Sequence, residues 1–188
     1  LGTLAALGLS RPHMPYKGLI MAILISPMIV PLIITAAGMF FFYARINLVY
    51  TFTGVILAHV ALATPFVVIT VTATLVGFDM NMVKASQSLG ARPVRTFFKV
   101  IMPLILPGVI SGALFAFITS FDEVVIVMFM ASLDQLTIPK QMWAGIRQEI
   151  SPVILCMATC LVVLSIFLLT TVELLRRRSE KLRGIKAR

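Results

Sequence analysis

Apolar residues in this chain come in long unbroken runs. Residues 18–43, 46–78, 102–121 and 150–172 contain no Asp, Glu, Lys or Arg. A helix that crosses a bilayer needs about 20 apolar residues. The pattern therefore predicts four complete spans, near 18–42, 48–77, 104–130 and 151–174. The third is interrupted by Asp122 and Glu123, after which apolar residues resume to Met130. A further apolar stretch, 1–9, is too short to span and reads as the end of a helix that begins before Leu1. With no initiating Met and no basic leader, it does not read as a signal peptide. The fold class expected is all-α: a polytopic transmembrane helical bundle in one domain, with four complete spans plus a partial first one.

The polar intervals differ in length. Residues 11–15 and 45–47 are short turns, whereas 79–102 and 131–151 are long. In the first long interval, Asp79 suits a helix N-cap. Met82, Ala85, Ser86 and Leu89 then share one helical face. Gly90 stops that helix, and Pro93 restarts the chain at a first-turn position. Val94, Phe97, Phe98 and Ile101 make a second apolar face. The expectation is two short amphipathic helices hinged at Gly90, with Pro103 and Pro107 breaking into the next span. In the second long interval, Ile138, Met142, Trp143 and Ile146 recur at helical spacing, and Trp143 suits a membrane–water interface. Pro27, Pro31, Pro65 and Pro107 fall within spans, each as a kink or as a bend around a pathway. Gly108 and Gly112 form a GxxxG pair that allows close helix contact.

Composition agrees with membrane residence: 60% of residues are hydrophobic and 12% charged, against about 25% charged in soluble domains. Net charge is +9, but its distribution points away from nucleic acid. Arg11 and Lys17, then Lys84, Arg92, Arg95 and Lys99, then seven residues of the 175–188 tail hold thirteen of the sixteen basic residues. All lie on one side of the expected topology, and Arg45, Lys140 and Arg147 lie on the other. The positive-inside rule makes the first side, including the tail, cytoplasmic, and the tail suits anionic headgroups. Cys156 and Cys160 sit four apart in an apolar run and are expected to pack as small hydrophobes.

Candidate chemistry is sparse. No GxxxxGK[ST] phosphate loop, Ser/His/Asp set or metal-ligand cluster is present, so the chain reads as a non-enzyme with no metal and no cofactor of its own. Asp122 and Glu123 are ionisable residues inside a span, which marks a functional hypothesis. Either they attract a cationic solute or they form an interfacial pair bonded to neighbouring helices. Adjacent helical residues point about 100° apart, so both are not expected on one wall. His59 is a packing residue or a pathway residue.

The 79–107 segment resembles a known family. Lys84-Ala85-Ser86-Gln87-Ser88-Leu89-Gly90-Ala91, then Phe97, Lys99-Val100-Ile101-Met102-Pro103-Leu104 and Pro107-Gly108, is similar to the EAA loop of binding-protein-dependent ABC importer permeases. Lys84 replaces the usual Glu and Ser86 the usual Ala, which reverses a charge but keeps the apolar face. Ser26-Pro27, His59, Pro65-Phe66-Val67-Val68, Gly77-Phe78-Asp79 and Ser120-Phe121-Asp122-Glu123-Val124-Val125 extend the similarity to the spermidine/putrescine branch. Against that branch, the first helix and part of the second are absent.

The resemblance implies an inner-membrane permease subunit of an ATP-driven importer. It makes Lys84, Ala85, Ser86, Leu89, Gly90 and Ala91 the coupling surface for a separate cytoplasmic ATP-binding subunit, which would hold ATP and Mg. It also implies a second permease subunit and an external solute-binding protein facing 131–151. The solute would be a polyamine; opines or amino-acid derivatives are alternatives. A stand-alone secondary transporter or channel using Asp122 for ion coupling remains a competing class, as does a membrane scaffold.

Overall fold

The computed structural model describes residues 1–11, 14–148 and 152–182, with the backbone alone for Gln148, Val172 and 175–182. The expected turn at 11–15, the end of the 131–151 interval and the basic side chains of the tail thus fall partly or wholly outside the described residues. Every regular element among those described is helical.

The chain runs α1 (Gly2–Leu9), α2 (Lys17–Ile29), α3 (Leu32–Arg45) and α4 (Phe52–Val76). Next come α5 (Met80–Ser88), α6 (Pro93–Thr96), a π-helical turn (Phe97–Ile101) and α7 (Met102–Phe121). It ends with α8 (Val125–Met130), α9 (Ile138–Gln148) and α10 (Pro152–Leu182). Among the described residues, three stretches are long and apolar enough to cross a bilayer: Phe52–Val76, Pro93–Phe121 and Pro152–Thr171. The α2–α3 pair counts as a fourth if it is one bent span.

Three expectations need correction. The 18–42 span is broken, with α2 and α3 meeting at 108°. Pro31 drives the break: its ring disfavours the helical region for the residue before it, and Val30 is extended, at φ −71° and ψ 136°. The 104–130 span is also broken, into α7 and α8. Finally, the second amphipathic helix of 79–102 is not separate. From Pro93 the chain runs through the π turn into α7 as one 29-residue rod. Pro103 does not break it. The Met102 N–H bonds the Phe97 carbonyl, five residues back. This wider turn relieves the clash a proline ring makes with the carbonyl four residues behind it.

The α4–α7 pair is the axis of the bundle, and the GxxxG prediction holds there. Gly108 and Gly112 are buried against α4. A Cβ at 108 would sit 3.0 Å from the Thr70 carbonyl, and one at 112 would sit 2.9 Å from Val67 Cα. The facing threonines satisfy their own hydroxyls: Thr70 donates to the Phe66 carbonyl at 2.9 Å and Thr74 to the Thr70 carbonyl at 2.9 Å. Two apolar clusters lie along this axis. At the end bearing α5, Ala6, Val71 and Ile105 pack with Val67 and Val109. At the opposite end, Ala36, Ala58, Leu62, Ile126 and Met130 join α3, α4 and α8.

α10 buries none of its Pro152–Thr171 window within the chain. Cys156 and Cys160 lie exposed on it rather than packed. The helix leans on its neighbours through other positions. Gly145, for example, admits Ile154, which a Cβ there would meet at 2.7 Å.

Candidate functional site

Two candidate places stand out, one at each end of the α7 rod. The first is the 79–102 loop. Asp79 caps α5, accepting the Asn81 N–H at 2.9 Å. At the other end, Gly90 is left-handed with φ +78°. The Gly90 N–H donates to the Gln87 carbonyl at 2.9 Å and the Ala91 N–H to the Ser86 carbonyl at 3.1 Å. These are the two bonds of a Schellman ending. Pro93 occupies the first turn of α6. A brace then closes the corner: the hydroxyls of Ser86 and Thr96 lie 3.0 Å apart, with Thr96 only 2% exposed. Thr96 was not foreseen, because its importance comes from a contact across the corner and not from local spacing.

The loop satisfies its own backbone while leaving apolar side chains in the open. Leu89 is 89% exposed, and Met82, Val94 and Phe98 are also exposed. A cavity of about 590 Å³ lies in the corner, lined by Met82, Ala85, Ser86, Leu89, Gly90 and Arg95, among others. Ala91 also lines it, whereas Lys84 is exposed outside it.

The second place is the break between α7 and α8. Asp122 ends α7, its N–H donating to the Ile118 carbonyl at 3.2 Å. Glu123 then caps α8: its Oε1 accepts the Ile126 N–H at 2.6 Å. Glu123 is 5% exposed while Asp122 is exposed. A buried carboxylate is costly unless bonded, and this backbone N–H compensates part of that cost. Both acids border one cavity of about 530 Å³, with Val30, Pro31, Phe66 and Thr119. That overturns the expectation of separate walls, because the helix ends at Phe121 and helical spacing no longer applies. The breaks in the α2–α3 and α7–α8 rods therefore face each other across this cavity. Asp122 also borders an apolar cavity of about 410 Å³ with Phe121, Met142, Trp143, Ser165 and Leu169.

His59 lies beside the break without lining either cavity. Its Nδ1 is 2.8 Å from the Ser120 Oγ, tying α4 to the last turn of α7. The far end of α8 is tied as well. The Tyr50 N–H donates to the Met130 carbonyl at 2.9 Å, and Gln135 Nε2 donates to the Tyr50 carbonyl at 3.1 Å. Nothing local in the sequence marks Tyr50 or Gln135 for this role. They are joined across 85 positions.

Residues 1–181 match the family of binding-protein-dependent transport system inner membrane components. The chain belongs to that family. This membership sets aside the stand-alone carrier and the scaffold, and makes the chain an inner-membrane permease component of a transport system. It is 31% identical over 179 residues to the spermidine/putrescine transport system permease protein PotC of Haemophilus influenzae, covering 95% of this chain and 70% of that protein. It is 29% identical over 181 residues to PotC of Escherichia coli K12, covering 96% and 69%. To the putrescine transport system permease protein PotI of E. coli K12 it is 35% identical over 103 residues, covering 55% and 37%.

Proposed function

We propose that this permease forms part of the path for a small cationic solute of the polyamine class, in an importer driven by ATP. The observation that carries the reading is Asp122: an exposed carboxylate at the end of a broken rod, bordering the cavity that the two breaks share. A dehydrated ammonium needs a compensating charge in a low-dielectric setting, and Asp122 offers one. Discontinuous helices that border a cavity also suit a solute path better than a closed wall does. The names of the relatives, spermidine/putrescine and putrescine permeases, support the same solute class. Glu123 contributes negative potential while capping α8, and His59 steadies the α7 end through Ser120.

The remaining roles follow. Lys84, Ala85, Ser86, Leu89, Gly90 and Ala91 form the docking surface for a separate ATP-binding subunit, with Leu89 as the apolar knob of a helix-in-groove contact. That subunit holds ATP and Mg and performs hydrolysis. A second permease subunit completes the path, and a solute-binding protein delivers the solute at the face carrying α9. The 79–102 loop and the basic tail are cytoplasmic, in keeping with the basic residues gathered there.

The test is isolation of the complex from membranes followed by uptake in reconstituted vesicles. The ATP-binding subunit should copurify, and labelled putrescine or spermidine should enter on ATP addition. Selective uptake of an anionic solute by the same complex would reject the polyamine class.

A further inference from the structure

We propose that Lys140 is a positioning residue for transport: from α9 it holds α8 in place and, through α8, sets Asp122 and Glu123 at the edge of the cavity. α8 has six residues, too short to persist on its own. Its two ends are held by opposite charges. Glu123 takes the Ile126 N–H at one end. At the other, the half-buried Lys140 ammonium donates to the Val127 carbonyl at 3.4 Å and to the Ala131 carbonyl at 3.3 Å. These carbonyls lie one turn apart at the end of α8, where a cation is favoured, and the Val127 carbonyl takes the ammonium in addition to the Ala131 N–H at 3.0 Å.

The needs of α9 itself do not explain this lysine. Lys140 sits in the first turn of α9, its N–H directed to Thr137 Oγ1 at 3.4 Å. A cation is disfavoured at that end of its own helix. The ammonium is instead spent on α8. The same helix α9 carries Met142 and Trp143 to the apolar cavity that Asp122 also borders. α9 therefore touches the surroundings of Asp122 twice, directly and through α8. Moving α9 away must either carry α8 with it or release the two carbonyls. A protein docking on the α9 face would supply that displacement; this clause alone rests on the proposed function.

The experiment uses the full chain in its complex, with Cys156→Ser and Cys160→Ser removing background thiols. Thr119→Cys places a reporter in the cavity wall, and Ile105→Cys places a control in the opposite apolar cluster. Lys140→Met is expected to speed labelling at position 119 by an impermeant maleimide about threefold to tenfold, by freeing α8 to open locally. Lys140→Arg should restore the parental rate, and labelling at position 105 should not change. An unchanged rate at 119 would overturn the proposal. So would an equal rise at 105, which would make Lys140 a general stabiliser. The readout is labelling, not uptake, so a parent complex that ignored polyamines would reject the solute class and leave this result standing.

Discussion

The two ends of the α7 rod are built on opposite principles. At the 79–102 end, backbone satisfies backbone. Gly90 and Ala91 return their N–H groups to α5, and Leu89 is left almost wholly exposed. At the break, side chains satisfy backbone. Glu123 and Lys140 hold the two ends of α8, while Ile126, Val127 and Met130 are fully buried. The first arrangement presents apolar surface on a rigid frame, which suits docking. The second packs a short helix on an apolar cluster and fixes its two ends by a few polar bonds, so a change in those bonds alters what borders the cavity. Stiffness suits the proposed coupling surface, and freedom to move suits the proposed path wall.

The largest expected effect removes both ends together. Gly108→Ile drives a branched side chain into Thr70 and Thr74. Overpacking of this kind costs about 3 kcal/mol or more. The folded yield after detergent extraction should collapse, and a parental yield would deny that the α4–α7 contact is the axis.

Gly90→Val acts at one end only. A β-branched residue held left-handed costs about 1–2 kcal/mol. The ATP-binding subunit should be lost from the purified complex, while labelling at position 119 stays parental. Retention of that subunit at the parental level would contradict the docking role.

The acid pair sharpens the contrast within the break. Glu123→Gln weakens a buried charge-assisted cap and should lower stability by about 1 kcal/mol, read as a drop in Tm. Asp122→Asn should stay within about 0.5 kcal/mol of the parent, since Asp122 is exposed. The reverse order would exchange the two roles. Ser86→Ala matches Glu123→Gln in size but acts at the other end, leaving the buried Thr96 hydroxyl without its brace at a cost of about 1 kcal/mol. Hydrogen exchange should quicken in α5 and α6 but not in α8.

The same contrast explains what could be read from the sequence. Asp79, Gly90 and Pro93 act on their immediate neighbours, so the start, stop and restart of the loop were legible. Gly108 and Gly112 were legible because only small residues admit a helix so closely. The breaks were not. Pro31 read as a kink, because a proline in a span signals either a bend or a full stop, and packing decides which. Asp122 and Glu123 stood out as intramembrane acids, but their different burial follows from α7 stopping at Phe121. The partners that fix α8 come from Tyr50 and Lys140, and no local spacing joins them to it. The π turn at 97–101 was likewise hidden, since a proline at 103 predicts a break as readily as a widened turn.

The most direct measurement of the proposed path is ATP-driven uptake of labelled putrescine by vesicles holding the assembled complex, comparing the parent with Asp122→Asn. Copurifying ATP-binding subunit and Tm are matched beforehand. Loss of the compensating charge should reduce uptake about tenfold or more, equivalent to about 1.4 kcal/mol, with basal ATP hydrolysis unchanged. Parental uptake by Asp122→Asn at equal assembly would show that the cation does not pass this carboxylate.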